Sequence, residues 1–154
     1  MVRLAHEADF AGMARLHRAS FAQAWDARAL KDLADSGAMA ILAGQSDGVQ
    51  GFILARVAAD EAEILTLAVA AQARRAGLGR ALVAEAAMRA GHAGATRLFL
   101  EVGAGNAAAC PPEACAAWAS PAAICAGVKC PGSAGARAPT GVNIRVIDGR
   151  MTKR

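Results

Sequence analysis

Tyrosine is absent from this sequence of 154 residues, and the other aromatics are scarce, with four phenylalanines and two tryptophans. Bases are held by stacked rings beside basic side chains, and no basic stripe interleaved with aromatics occurs, so a nucleic-acid partner is not expected. No apolar run is long enough to cross a bilayer, and the opening MVRLAHEADF lacks the basic-then-apolar order of a secretory signal. The expectation is therefore a cytoplasmic protein with no membrane partner. Cysteine is missing from the first 109 residues, and Cys110, Cys115, Cys125 and Cys130 all follow Ala109. In a reducing compartment such thiols do not form disulfides. Their Cys-x4-Cys-x9-Cys-x4-Cys spacing is looser than the x2 gaps common in structural zinc sites. No metal is expected, and a zinc-bearing interaction module remains only as a lesser alternative. A Gly-x-Ser-x-Gly elbow, a histidine pair at metal spacing and a phosphate loop ending in lysine are likewise missing.

What is present is one domain's worth of chain with a formal net charge of +4, which suits an acidic ligand. VRLA reads as a short strand. HEADFAGMARLHRASF places Phe10, Met13, Leu16 or His17, and Phe21 at helical spacing, with His17 read as a side chain on a partly buried face rather than a ligand. Trp25 and Asp26 open a second helix, with Asp26 as its cap and Gly37 as its stop. AMAILAG and VQGFILARVAA read as strands joined by a GQSDG turn, and EAEILTLAV as an internal strand because its apolar run is unbroken. A loop then leads into an alanine-rich helix beginning near Gly77 or Gly79 and ending near Gly91, and TRLFLEV is a further strand. The order β-α-α-β-β-β-α-β predicts an α/β (α+β) fold, a mixed sheet with helices on its faces. Beyond Ala109 the chain turns Ala-, Pro-, Gly- and Cys-rich without a period, which predicts an irregular tail with one strand, IRVIDGR.

Two stretches carry chemistry. In LAVAAQARRAGLGRAL a strand ends at Val69 and a helix starts after a glycine-bearing loop. The first-turn amides of a helix lack internal partners and carry partial positive charge, and glycine lets a phosphate come close to them. Arg74, Arg75 and Arg80 add charge there, so the segment suits a pyrophosphate; the competing reading is that the glycines serve helix–sheet packing and the arginines are merely solvated. In LFLEVGAGN, Glu101 sits among Leu98, Leu100 and Val102. Apolar surroundings would push its pKa upward, toward that of a general base, unless strand alternation places it on an exposed face.

Together these stretches resemble the GNAT acetyltransferases, most closely the subgroup that acetylates the alanine terminus of a ribosomal protein. Arg74-Arg75-Ala76-Gly77-Leu78-Gly79 is similar to the family's Arg/Gln-x-x-Gly-x-Gly/Ala, LEVGAGNAAA to its LEVRxSNxxA, and SFAQAW to its Phe-x-x-x-Trp segment. The resemblance covers about residues 1–109. It implies a splayed sheet holding acetyl-CoA, with Leu67, Ala68 and Val69 pairing through their backbone with the pantetheine arm. Arg75, Ala76, Gly77, Leu78, Gly79 and Arg80 would cradle the pyrophosphate, and Asn106 would contact the cofactor. Glu101 would be the base for the acceptor amine, implied to be a protein or peptide N-terminus.

After NAAA the family continues into a helix whose tyrosine serves as general acid; here Glu113 falls at that place, behind Pro111 and Pro112. Ala117-Trp118-Ala119-Ser120, read two bases along, can encode the family's Leu-Gly-Phe, which points to a frameshift between Ala109 and Trp118. The expected organisation is a GNAT-like acetyl-CoA-binding domain over 1–109 and an atypical tail over 110–154. An acetyl-CoA-binding protein with impaired turnover is the alternative that the missing tyrosine raises.

Overall fold

The computed structural model describes residues 1–45, 48–103 and 142–147. In chain order the elements are β1 (Val2–Leu4), α1 (Phe10–Ser20), α2 (Ala27–Asp35), β2 (Met39–Gln45), β3 (Gly48–Ala58), β4 (Glu61–Val69), α3 (Leu78–His92), β5 (Arg97–Gly103) and β6 (Val142–Ile147). The strands form one sheet in the order β1-β2-β3-β4-β5-β6. The first three pairings are antiparallel and the last two parallel.

Strand alternation divides the core between the two faces. Neighbours such as Ile41 and Leu42 on β2, or Ile53 and Leu54 on β3, are all fully buried but belong to different layers. Leu42, Phe52 and Leu54 meet Phe10, Met13, Leu16 and Leu30 of α1 and α2. Ile41, Ile53 and Ile64 meet Leu82, Ala86 and Ala90 of α3. Those three α3 residues recur every fourth position, and two are alanines, so the helix lies close on the sheet. Gly51 makes that approach possible: a Cβ on it would lie 3.1 Å from Leu82 Cδ1 and 3.2 Å from the Ala68 carbonyl oxygen.

The helix expected from His6 to Phe21 is shorter at both ends. Glu7–Asp9 is a 3₁₀ turn, because the fully buried Asp9 carboxylate is committed elsewhere. It accepts two Arg3 guanidinium bonds at 2.7 and 2.9 Å and the His6 backbone N–H at 2.7 Å, tying β1 to the start of α1. Phe21 follows α1 in extended conformation and is 37% exposed rather than part of the buried stripe. Asp26 caps α2 as expected, its Oδ1 accepting the Ala29 N–H at 2.8 Å, and Gly37 reverses the chain at φ +104°. Trp25 lies outside the helix, ahead of that cap. The strand expected over 144–150 occupies Val142–Ile147 and pairs in parallel with β5.

One irregularity shapes β4. Its ladder with β3 runs Leu54 to Thr66 and then Ala55 to Ile64, so Leu65 is an extra residue. Ile64 packs in the α3 layer, Leu65 against the α1 layer, Thr66 bonds to α1, and Leu67 packs again in the α3 layer. Two consecutive residues thus face α1, which is the signature of a bulge and bends the strand locally. Among the described residues, no helix is long and apolar enough to cross a membrane.

Candidate active site

The bulge coincides with the parting of two strands. β4 and β5 pair from Glu61 with Arg97 only as far as Ile64 with Leu100. Past that point β4 continues through Leu65 to Val69 with β3 alone as neighbour, while residues 101–103 of β5 pair with β6. The sheet therefore opens into a V whose β4 arm presents one unpaired backbone edge. Leu67, Ala68 and Val69 lie on that arm, held from the other side by Ile53, Phe52 and Gly51. Glu101 is the first residue of β5 beyond the shared ladder. The expected base and the expected cofactor-binding strand thus stand at the mouth of the same opening. The side chain of Glu101, the whole of Asn106, Glu113 and the four cysteines lie outside what is described.

The loop at the end of the β4 arm turns back into α3. Ala70 N–H donates to the Gln50 carbonyl at 2.8 Å, and the Arg74 guanidinium Nε folds back to the Val69 carbonyl at 3.0 Å. Arg75 and Gly77 both adopt left-handed conformations, at φ +62° and +80°. The first hydrogen bond of α3 runs from Ala81 N–H to the Gly77 carbonyl, leaving the amides of Leu78, Gly79 and Arg80 ahead of it without helical partners. Arg74, Arg75 and Arg80 are exposed, and among the described residues none of them is in an ion pair.

A Cβ on Gly77 would meet nothing within 4 Å, and one on Gly79 would meet only Val69 Cγ2 at an ordinary 3.6 Å. Helix–sheet packing therefore requires neither; Gly51 is the glycine that packing requires. Gly77 is required by its positive φ, which places a non-glycine side chain against the backbone. Gly79 leaves the amide-bearing first turn bare of a Cβ. That is the arrangement an anion needs to reach backbone N–H groups carrying the helix's positive end.

A separate cleft of about 330 Å³ lies between α1 and the β4–α3 loop, lined in part by Gly12, Arg15, Ala19, Gln72 and Arg74. It contains none of the residues 67–69 or 75–80, so it is not the V between the strands.

On the α1 face of the opening stands a group of residues that sequence reasoning largely passed over. His17 is 3% exposed and bonds through Nε2 to Thr66 Oγ1 at 3.2 Å, while its Nδ1 accepts the Trp25 N–H at 3.0 Å. Burial lowers its pKa from the ordinary histidine value. Helical spacing puts His17 on a partly buried face; in the structure the ring is buried outright and bonded across to β4 at the strand opening. The available signal was Thr66, the one polar residue within the apolar run ILTLAV. Among the described residues no group of three or more metal-ligating side chains converges.

Residues 7–111 match the sequence profile of the Acetyltransferase (GNAT) family. The chain belongs to the GNAT acetyltransferases. No curated protein matches this sequence significantly. Among solved structures, the GNAT fold seen here is similar to the ribosomal-protein-S18-alanine N-acetyltransferase from Escherichia coli. The TM-score is 0.63, with 26% identity over 71% of this chain and 70% of that one. YhbS, a GNAT N-acetyltransferase of E. coli solved in complex with CoA, gives a TM-score of 0.52 and 26% identity, over 62% of this chain and 58% of that one. Arabidopsis thaliana NAA60, solved in complex with acetyl-CoA, shares the fold at a TM-score of 0.53 and 17% identity, over 61% and 69% of the two chains. The GNAT chain described here is thus an N-acetyltransferase in fold and family, with the mixed, helix-flanked sheet that its sequence predicts.

Proposed function

We propose that this chain transfers an acetyl group from acetyl-CoA to the α-amine of a protein or peptide N-terminus, the reading supported by the likeness to the E. coli alanine N-acetyltransferase. The observation that carries it is the parting of β4 from β5 after Ile64 and Leu100, which leaves a bare strand edge leading to the free amides of α3. The residues present fit the group. The edge at Leu67, Ala68 and Val69 offers backbone groups to the amides of a pantetheine arm, apart from the Val69 carbonyl, which already accepts from Arg74 Nε. Gly77, Leu78, Gly79 and Arg80 offer helix-terminal amides, and Arg75 and Arg80 offer charge, to a diphosphate. Ala76 continues the same loop, and Asn106 is assigned to the cofactor by resemblance alone.

Acetyl-CoA supplies an acyl group already activated as a thioester. The chain's own part is to hold it along β4 and to aim it at the amine, which brings the reactants together in one orientation. Glu101 removes a proton from the amine as its nitrogen bonds to the acyl carbon and the carbon–sulfur bond breaks. The departing sulfur takes its proton from solvent, since the sequence holds no tyrosine to donate one. A thiol of ordinary pKa, about 8.5, is a leaving group that tolerates this. Residues 1–109 form the cofactor-binding unit in this reading, acting in the cytoplasm and without a metal.

The test is acetylation of an alanine-terminated peptide followed by mass spectrometry, with Glu101→Gln beside the unaltered chain. The expected result is transfer that falls by about 10²–10⁴-fold in the variant, the usual worth of a positioned base, with acetyl-CoA affinity retained. Cofactor binding without any transfer by the unaltered chain would favour the second reading, an acetyl-CoA-binding protein whose turnover was lost with the family's tyrosine.

A further inference from the structure

His17 joins three parts of the molecule through its ring: α1, β4 and the segment between α1 and α2. The ring lies in the last turns of α1 and, through Nε2, reaches Thr66, the residue that follows the Leu65 bulge. Through Nδ1 it accepts the backbone N–H of Trp25, in the segment between α1 and α2. Because Nδ1 accepts, the proton of the neutral ring sits on Nε2 and is donated to Thr66, so the Trp25 amide sets the tautomer. The Trp25 indole stacks on the imidazole with centroids 5.2 Å apart and planes 9° apart, and the Phe21 ring lies 4.5 Å from it. Phe52 of β3 closes the group from below at 6.0 Å.

The segment carrying these rings is otherwise weakly tied. Among the described residues, the Trp25 N–H bond to His17 is the only hydrogen bond made by residues 22–25. Phe21 and Trp25 are each 37% exposed, so the rings that pack on His17 also present an apolar surface. That surface lies on the α1 face of the sheet, beside the point where β4 leaves β5. The amides and arginines assigned to the diphosphate belong to the start of α3, which packs on the opposite face. A cofactor anchored from the α3 side leaves the α1 side for the incoming amine.

Resting on the function proposed above, we infer that His17 is a positioning residue for the acceptor: it holds residues 21–25 against the β4 bulge so that Phe21 and Trp25 wall the amine's entrance. The two bonds can be separated by substitution. His17→Gln keeps a donor near the Nε2 position and removes the acceptor for Trp25 N–H. His17→Asn keeps an acceptor near the Nδ1 position and removes the donor to Thr66.

The experiment measures the KM for an alanine-terminated peptide, the acetyl-CoA Kd by calorimetry, and the melting temperature of each chain. His17→Gln should raise the peptide KM about tenfold, the loss of one buried hydrogen bond, and leave the acetyl-CoA Kd unchanged. His17→Asn should bring the peptide KM back toward the original. Equal KM effects in both variants, or a fall in melting temperature alone, would make His17 merely structural and overturn the inference.

A second measurement needs no turnover. In a Trp118→Phe background, Trp25 is the sole tryptophan of the two in the sequence, and adding the peptide should shield its fluorescence from acrylamide. Peptide that leaves Trp25 unshielded overturns the inference even if acetyl-CoA binds. Shielding by the peptide without acetyl transfer upholds it while removing the catalytic reading.

Discussion

Ile64 and Leu100 are the last residues through which β4 and β5 share a ladder, and the next residue of β4, Leu65, is the bulge. The coincidence assigns a cause to the opening. A regular β4 would keep its twist in step with β5; an extra residue bends it away where the parallel pairing ends.

Deletion of Leu65 tests that cause. Because Leu65 and Thr66 both face α1, removing one of them restores strict alternation without turning any other side chain to the wrong face. The shortened chain is expected to fold, with a native-like circular dichroism spectrum, and to lose acetyl-CoA affinity by at least about tenfold. A deletion variant that binds acetyl-CoA as well as the original would separate the bulge from the site.

The two loop glycines should respond in opposite ways. Gly77→Ala forces a side chain into φ +80° and is expected to cost about 1 kcal/mol, read as a lower melting temperature. Gly79→Ala meets only an ordinary contact with Val69 and gains helix propensity, so the melting temperature should hold or rise. Acetyl-CoA affinity should nevertheless fall in Gly79→Ala, because its methyl group covers the first-turn amides. Differential scanning fluorimetry and calorimetry on the two variants check both halves.

His17 makes stability depend on pH in a definite direction. Its folded pKa lies below the ordinary value of 6.5 because burial disfavours the charged ring. As pH falls through that value the unfolded chain takes up a proton more readily than the folded one, so the stability that neutral His17 supplies is complete above it and is lost below it. Melting curves from pH 8 to about 5 should show the gap between the original chain and His17→Gln largest at the upper end and narrowing as pH falls. A gap that widens on acidification would contradict the buried neutral ring.

Much of this architecture was legible from periodicity and punctuation. Glu61–Val69 reads as an internal strand because an unbroken apolar run has no solvent face, and the helix layers packed on both faces of the sheet are the reason. Asp26 and Gly37 carried the ends of α2 because cap chemistry is local. The first turn of α1 departs from its helical period because Asp9 pairs with Arg3 of β1, a contact between elements that no local period encodes. The bulge was invisible for a related reason: in EILTLAV nearly every residue is apolar, so a switch of faces leaves no mark. The loop glycines were ambiguous in sequence between packing and ligand approach, and only the empty space around Gly77 and Gly79, set against the crowding at Gly51, separates the two. The role of His17 depended on Thr66, 49 residues away.

The β4 edge and the start of α3 are proposed to form one acetyl-CoA site. Calorimetric titration of the chain with acetyl-CoA, beside a variant carrying both Arg75→Glu and Arg80→Glu, tests it most directly. Saturable binding at micromolar concentration is expected, and the double variant should lose it while keeping its fold. A folded chain that takes up no acetyl-CoA, or a double variant that binds it equally well, would show that the β4 edge and the start of α3 are not its site.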